Sequence, residues 1–452
     1  MLKGMSVAAT TLGCKVNQAE TDSMLDMLKA AGANIVEFDE KADIYIVNTC
    51  SVTNIADKKS RQMLHRARKM NPDGIVIAAG CYVQSAREIL EQDEAIDIVI
   101  SNNKKKSITE IVNDYINVRN NEKNAPGKDH EAMEYFVDIS RETEYEEMGG
   151  HVPVGHTRAY VKIQDGCNQF CSYCIIPYVR GRIRSRSQEA ILAEVSELAE
   201  AGIKEVVLTG IHISSYGKDK NNEGALIELI EAISKIKGIK RIRLGSLEPG
   251  IITEEFVERI SSNSKVCPHF HLSLQSGCDS VLKRMNRKYT CEQYFEKCDM
   301  LRKAYKSPAL TTDVIVGFPG ETEEEFAETV RYLTELNLYE MHIFKYSPRK
   351  GTVAAAMKEQ VAPEIKNERS DVLLKLANDN KTAYEAQFEG CELEVLVEEV
   401  VKKDNKTYLR GHTERYMDIL IDVGDISMPE SFVNSFVYVT YTQNGGNLPL
   451  LL

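Results

Sequence analysis

The segment Gly166–Cys174, GCNQFCSYC, sets three thiols on one short loop: Cys167, three residues, Cys171, two residues, Cys174. Three thiolates at this spacing can hold three irons of a [4Fe–4S] cluster and leave the fourth iron open. Two blander chemistries use similar residues. Structural zinc wants four ligands, usually from two CxxC-like pairs, and the loop offers no fourth. A redox CxxC pair leaves Cys167 unexplained. Cys14, Cys50 and Cys81 are spread over the first hundred residues, each just beyond an expected strand. They are either small buried hydrophobes or one shared site at the carboxyl rim of a sheet, where open α/β folds bind ligands. Their equivalent positions favour the shared site.

The elements that must position these cysteines follow from the apolar pattern. Strands are expected at Val7–Thr11, Asp43–Asn48, Ile75–Ala79 and Ile96–Ile100, with helical spacing at Val16–Ala31, Ile55–Met70 and Ser85–Glu91. That alternation implies βαβ units and a mainly parallel sheet. The acidic stretch 118–152 reads as a linker with an extended piece at Tyr135–Ile139. From Arg158 the alternation resumes, with strands expected at Ala159–Ile163, Glu205–Leu208, Arg241–Leu244, His269–Leu274, Thr312–Val316 and His342–Lys345. Six βα repeats suggest a partial (βα)6 barrel with its site on the carboxyl-end face. Ser187 and Thr322 have the place and chemistry of helix caps. Pro363–Phe388 reads as a helix, and short strands after Gly390 predict a small β-barrel. The expected divisions are 1–117, 118–152, 153–383 and 384–452.

The whole chain has 452 residues, eleven cysteines and a formal charge of −12. No apolar run is long enough to span a membrane, and the N-terminus lacks the layout of a signal peptide. A cytoplasmic protein with no membrane partner is expected. An odd cysteine count there is a poor disulfide framework. The acidic balance argues against nucleic-acid binding through bulk positive charge, not against a local basic site.

The CxxxCxxC loop after the first strand of a six-fold βα barrel resembles the radical S-adenosylmethionine (SAM) superfamily. The resemblance implies that the open iron chelates SAM and that an electron from the cluster cleaves it to a 5′-deoxyadenosyl radical. TLGCKVNQAE, NTCSVT and AAGCYVQ, around Cys14, Cys50 and Cys81, are similar to the N-terminal domain of the methylthiotransferases. LTGIHISSYG, HLSLQSGCDSVLKRMNRKYT and TDVIVGFPGETEEEF match the same family's core, and the C-terminal β-segment stands where the family has its TRAM domain. This implies two [4Fe–4S] clusters: Cys167, Cys171 and Cys174 for the one that cleaves SAM, and Cys14, Cys50 and Cys81 for the one that carries sulfur. It also implies tRNA as partner, a low-potential electron donor and a sulfur donor. Lys15-Val16-Asn17 resembles the branch acting on threonylcarbamoyladenosine. The alternatives are isopentenyladenosine in tRNA, or a non-catalytic iron–sulfur redox protein that binds RNA.

Other residues carry weaker expectations. At least one of Arg180, Arg184 and Arg186 is expected to offer a guanidinium to the SAM carboxylate or an RNA phosphate. Thr209 and Gly210, at the second barrel strand's end, would present backbone to SAM. Gln275, Ser276 and Gly277 would contact SAM ribose or substrate. Asp313 and Gly317 lie on the fifth strand and at its end, where glycine permits close approach of adenine. His269 and His271 share a strand face and could bind metal, but with no third ligand in view packing or hydrogen bonding is expected of them. Cys267, Cys278, Cys291, Cys298 and Cys391 are expected to pack. Basic residues of Asp57–Met70 are one candidate RNA surface. Lys402, Lys403, Lys406, Arg410 and Arg415 are another, with Tyr408 and Tyr416 to stack on bases.

Overall fold

A computed structural model describes residues 2–122, 133–149, 157–404, 406–424, 428–443 and 445–447. The first unit is built of β1 (Ser6–Thr11), α1 (Lys15–Ala30), β2 (Asn34–Val36), β3 (Ile44–Thr49), α2 (Asn54–Met70), β4 (Ile75–Gly80), α3 (Cys81–Ser85), α4 (Arg87–Glu91), β5 (Ile98–Ile100), α5 (Ile108–Glu122) and β6 (Met133–Tyr135). Its strands form one parallel sheet in the order β2-β1-β3-β4-β5-β6. Every residue of β3 and β4 is buried, because helices cover both faces, so these strands read as unbroken apolar runs. The acidic stretch expected as a linker adds β6 at the sheet edge. Just beyond it, Val137, Glu142 and Glu146 bond to Ser101, Asn103 and Lys106.

The second unit continues with β7 (Arg158–Asp165), α6 (Ile176–Val179), β8 (Arg184–Ser185), α7 (Gln188–Glu200), β9 (Glu205–Gly210), α8 (Ala225–Ser234), β10 (Arg241–Leu244), α9 (Glu254–Ser261), β11 (His269–His271), α10 (Asp279–Arg284), α11 (Cys291–Ala304), β12 (Ala309–Val316), α12 (Glu323–Leu336) and β13 (Glu340–Lys345). β7, β9 and β10 pair in parallel, as do β11, β12 and β13. Parallel bridges Ile242–Val266 and Leu247–Leu272 join the two sets, giving the six-stranded partial barrel. Alternate residues of β12, including Leu310, Val314 and Val316, enter the core under the helices, while Thr311 and Asp313 take the other face. The expected caps are present. Ser187 accepts from Ala190 N, and Thr322 forms a capping box with Glu325.

Helix α13 (Pro363–Ala386) packs along β13 and leads to β14 (Glu392–Lys403), β15 (Lys406–Thr413), β16 (Asp418–Asp422), β17 (Phe436–Thr442) and β18 (Gly445–Asn447). These close a five-stranded barrel in the order β14-β15-β16-β18-β17. Its arginines do not form an RNA-facing set. Arg415 donates to the carbonyls of Lys306 and Ser307, and Arg410 pairs with Asp418 and Glu399. Tyr416 is stacked between His269 and His412, so it packs against the second unit instead of awaiting a base. Among the described residues, no helix is long and apolar enough to cross a membrane.

Candidate functional site

Cys14, Cys50 and Cys81 follow β1, β3 and β4, three adjacent strands, and so converge on one carboxyl rim. Their packing is tight enough to dictate the neighbouring residue. Gly13 has φ +102°, and a Cβ there would lie 2.8 Å from both Cβ and Sγ of Cys50. Gly166, next to Cys167, has φ +70°, and a Cβ would fall 1.8 Å from the Arg182 carbonyl oxygen. The loop closes there, with Cys167 N donating to Gly181 O at 3.0 Å. Only glycine serves both demands. Phe170 within the loop also takes a positive φ, 49°, and is held by Asn286 Nδ2 on its carbonyl at 2.9 Å and by Arg182 over its ring.

The two cysteine sets share a wall. Cys81 packs against Ile175, just before α6, and Val179, at its end, on the turn of helix that follows Cys174. Asn102 donates to Val179 O at 2.7 Å and lies 3.8 Å from Cys81 Sγ. A second tie runs through Arg349, beyond β13, which reaches Ser51, Asn54 and Asp57 beside Cys50.

Between them lies a buried charge network that the sequence did not disclose. Arg180 is fully buried. Its Nη atoms donate to both carboxylate oxygens of Glu20 (2.6 and 3.0 Å), to Asp165 (3.0 Å) and to Asn17 Oδ1 (2.5 Å), and its Nε to Cys81 Sγ (3.2 Å). Lys162 joins Glu20 and Asp165 at 2.7 Å each, and Lys105 joins Glu20. Burial alone would raise Glu20, but Arg180, Lys105 and Lys162 more than offset it and hold its carboxyl well below the usual range. Three cations face two carboxylates in this hydrogen-bonded set, and Cys81 Sγ accepts from one of them. The expectation for Arg180 is corrected accordingly. No donor of its guanidinium is left for a SAM carboxylate or a phosphate. Arg186 is likewise engaged, by Glu147 and Glu194, and Arg184 Nη1 by the Arg180 and Arg182 carbonyls, while Arg184 Nε is buried without a hydrogen-bond partner among the described residues.

On the loop side, Arg287 donates to Cys171 Sγ at 3.2 Å, to Glu248 at 2.9 Å and to the Ser273 carbonyl at 3.1 Å. Burial pushes the Cys50 and Cys167 thiols up to about 11 and Cys174 up to about 12. Such thiols ionise readily when a metal takes the charge. Among the described residues, His271, Asp313 and His342 form the one set of three ligand-type atoms all within 4.8 Å, and neither cysteine triad does so. Each triad offers three sulfur donors, the soft donor set that suits an iron–sulfur cluster with one iron left open.

The remaining expected contacts divide. Thr209 is buried at the end of β9, and Gly210 presses on Gln164, whose carbonyl oxygen lies 3.0 Å from a Cβ built there. Gln275 has φ +78° and exchanges backbone hydrogen bonds with Asp313 and Ile315, extending β11. Ser276 and Gly277 are closely packed. Ser276 Oγ is enclosed against Thr329, and a Cβ at Gly277 would meet Tyr332 at 2.9 Å and Thr329 at 3.0 Å. At Gly317, φ +69°, a Cβ would lie 2.3 Å from Lys366 Cγ. Asp313 stands 3.4 Å from His271 Nε2. The His271 and His342 rings stack at 5.9 Å, and His271 Nδ1 is 2.9 Å from Thr311 Oγ1. His342 is a partner the sequence pattern missed, because it comes from a different strand. Of the remaining cysteines, Cys267, Cys278 and Cys298 are buried, Cys291 is half-buried, and Cys391 is exposed, which corrects the packing expected of it.

A cavity of about 650 Å³ opens beside Cys14, lined also by Lys15, Arg158, Tyr160, Lys162 and Glu398. That volume suits a small-molecule or nucleoside guest.

Two family models match the chain: the radical SAM superfamily over residues 161–333 and an uncharacterised protein family, UPF0004, over residues 6–101. The chain is 40% identical to the threonylcarbamoyladenosine tRNA methylthiotransferase MtaB of Bacillus subtilis, covering 92% of this chain and 90% of that protein. It is 36% identical to the tRNA-2-methylthio-N6-dimethylallyladenosine synthase of Thermoanaerobacter pseudethanolicus, covering 96% and 90%. Among solved structures it resembles the radical SAM methyltransferase TsrM of Kitasatospora setae, with TM-score 0.55 and 15% identity over 76% of this chain and 77% of that one, a likeness of fold.

Proposed function

The chain belongs to the radical SAM tRNA methylthiotransferases, and from that premise we propose that it converts N6-threonylcarbamoyladenosine in tRNA to the 2-methylthio form. The observation that carries the choice is the stretch following the first cysteine, Cys14-Lys15-Val16-Asn17, supported by 40% and 38% identity to two threonylcarbamoyladenosine relatives against 36% and 37% to two dimethylallyladenosine ones.

Cys167, Cys171 and Cys174 would hold the cluster that binds SAM, and Cys14, Cys50 and Cys81 the one that holds sulfur. When bound, these groups supply the radical that activates a carbon–hydrogen bond and the sulfur that replaces the hydrogen. The chain's residues do the rest. Arg180 and Asn102 donate toward Cys81, and Arg287 toward Cys171, which orients the thiolates and stabilises their charge. Thr209, Gly210, Gln275 and Asp313 would border SAM. The shared wall through Ile175–Val179 keeps the two sites adjacent, so one nucleoside can reach both. Outside, Lys58 and Lys59 are exposed beside the exposed Val52 and Ile55, a basic and apolar surface suited to an anticodon loop.

Nucleoside mass spectrometry of tRNA from a deletion strain tests this reading. Loss of 2-methylthio-N6-threonylcarbamoyladenosine, restored by the wild-type gene, is expected. Loss of the 2-methylthio-isopentenyl nucleoside instead would overturn the substrate choice.

A further inference from the structure

Lys15 opens α1 immediately after Cys14, and α1 packs against β7 and β9. Its side chain lines the cavity beside Cys14, with Nζ 5.8 Å from the ring centres of both Tyr160 and Tyr416. The other cations around it are matched. Arg158 pairs with Glu398 at 3.0 Å, Arg243 with Glu205 at 2.7 Å, Lys162 with Glu20 and Asp165, and Arg186 with Glu147 at 2.6 Å. Among the described residues Lys15 has no ion-pair partner. Its electrostatic neighbours are Arg158 and Arg243, opposed by Glu205, and His269 lies in the field of Lys15, Arg243, His271 and His342. A flexible lysine with free choice of solvent gains nothing by standing among arginines and imidazoles. The arrangement is that of a receptor for an anion.

We propose that Lys15 receives the carboxylate of the substrate's threonyl arm and so selects the threonylcarbamoyl nucleoside over adenosines with apolar N6 arms. This rests on the substrate reading above. The threonyl arm brings one carboxylate, which would complete the missing ion pair. A hydrocarbon arm would bury the ammonium without a partner, so the same residue attracts one nucleoside and rejects the other. The SAM carboxylate is the other source of the same chemistry, and the test separates them.

The test is a double cycle on the anaerobically reconstituted full chain, with anticodon stem-loop RNA carrying threonylcarbamoyladenosine as the free acid or as its methyl ester. For wild type, esterification should lower kcat/KM by about 10–100-fold, the worth of one charge-assisted hydrogen bond. Lys15→Met should lose a similar factor on the acid and little more on the ester, because the same contact is already gone. Lys15→Arg should recover much of the loss. Iron content and the KM for SAM should not move. Equal losses by Lys15→Met on acid and ester, a raised KM for SAM, or a loss of iron would each overturn the role of Lys15 alone. Wild-type turnover of isopentenyladenosine RNA without turnover of the acid would overturn the substrate reading, and Lys15 with it.

Discussion

Replacing Arg180 with Met keeps much of the side chain's volume and removes its charge and five hydrogen bonds. The loss is uneven. Glu20 keeps Lys105 and Lys162, and Asp165 keeps Lys162. Asn17 Oδ1 loses the short 2.5 Å donor, and Cys81 Sγ loses its 3.2 Å donor, keeping only Asn102 at 3.8 Å. Two buried acceptors left short cost about 1–3 kcal/mol each, and breaking a buried ionic set costs about 3–5 kcal/mol. The two costs count the same severed contacts and are not summed, so about 3–5 kcal/mol is expected. It falls on Cys81, because with a thiolate there the set passes from neutral to one net negative charge. The expected outcome is selective. Anaerobically reconstituted Arg180→Met should release the iron held by Cys14, Cys50 and Cys81 to a chelator at least about tenfold faster, a factor worth 1.4 kcal/mol. It should still cleave SAM at the loop cluster under reduction. Arg180→Lys, which restores charge without the planar fork, should fall between. Arg180→Met with unchanged chelator resistance would refute the reasoning, as would equal loss of both clusters.

Three further outcomes follow from the same structure. Gly166→Ala puts a Cβ 1.8 Å from the Arg182 carbonyl oxygen at a positive φ, so it should abolish SAM cleavage and halve the bound iron while leaving the other site loaded. Arg287→Met removes a donor to Cys171 Sγ, so electrochemistry should find the loop cluster at a more negative potential, with iron content little changed. Glu325 is held down to about 2 by hydrogen bonds from Arg284, against the burial that would raise it, and by Ser280 and the Thr322 backbone N–H. A depressed carboxylate adds stability that is present above its unfolded value of about 4.5 and is lost as pH falls toward 2. Glu325→Gln should therefore lower stability at neutral pH and flatten the acid limb of a thermal-melt series between those values; an unaltered acid limb would contradict it.

How much of this was legible in the sequence depends on whether the signal was local. β3 and β4 are buried on both faces, so each is a run of apolar residues that can be read directly, and the cysteine after each is located with it. β2 was missed because Asn34–Val36 is a short, largely exposed edge with no such run. The single helix expected over Ser85–Glu91 is two short ones broken at Ala86, the first opening at Cys81 itself. Glycines before Cys14 and Cys167 were visible, but the need for them was not, since it arises from Cys50 and Arg182 arriving from elsewhere in the chain. Arg180 was read as a ligand-facing cation because burial of an arginine leaves no mark in sequence. Only the spacing of Asn17 and Glu20, one and two helical turns beyond Cys14, hinted at partners on a common face. His342 joined His271 and Asp313 through strand register, which no single segment encodes.

In the proposed reaction two cysteine triads, adjacent across one wall, would each hold an open-iron cluster and act on one nucleoside. Its most direct test is a single incubation of the reconstituted protein with SAM, reductant and threonylcarbamoyladenosine stem-loop RNA, read by mass spectrometry alongside iron and sulfide counts. The account predicts about eight irons per chain and the 2-methylthio product. For Cys50→Ala it predicts about four irons, continued formation of 5′-deoxyadenosine and no methylthio product. About four irons in the wild type, unchanged on replacing Cys50, would contradict it.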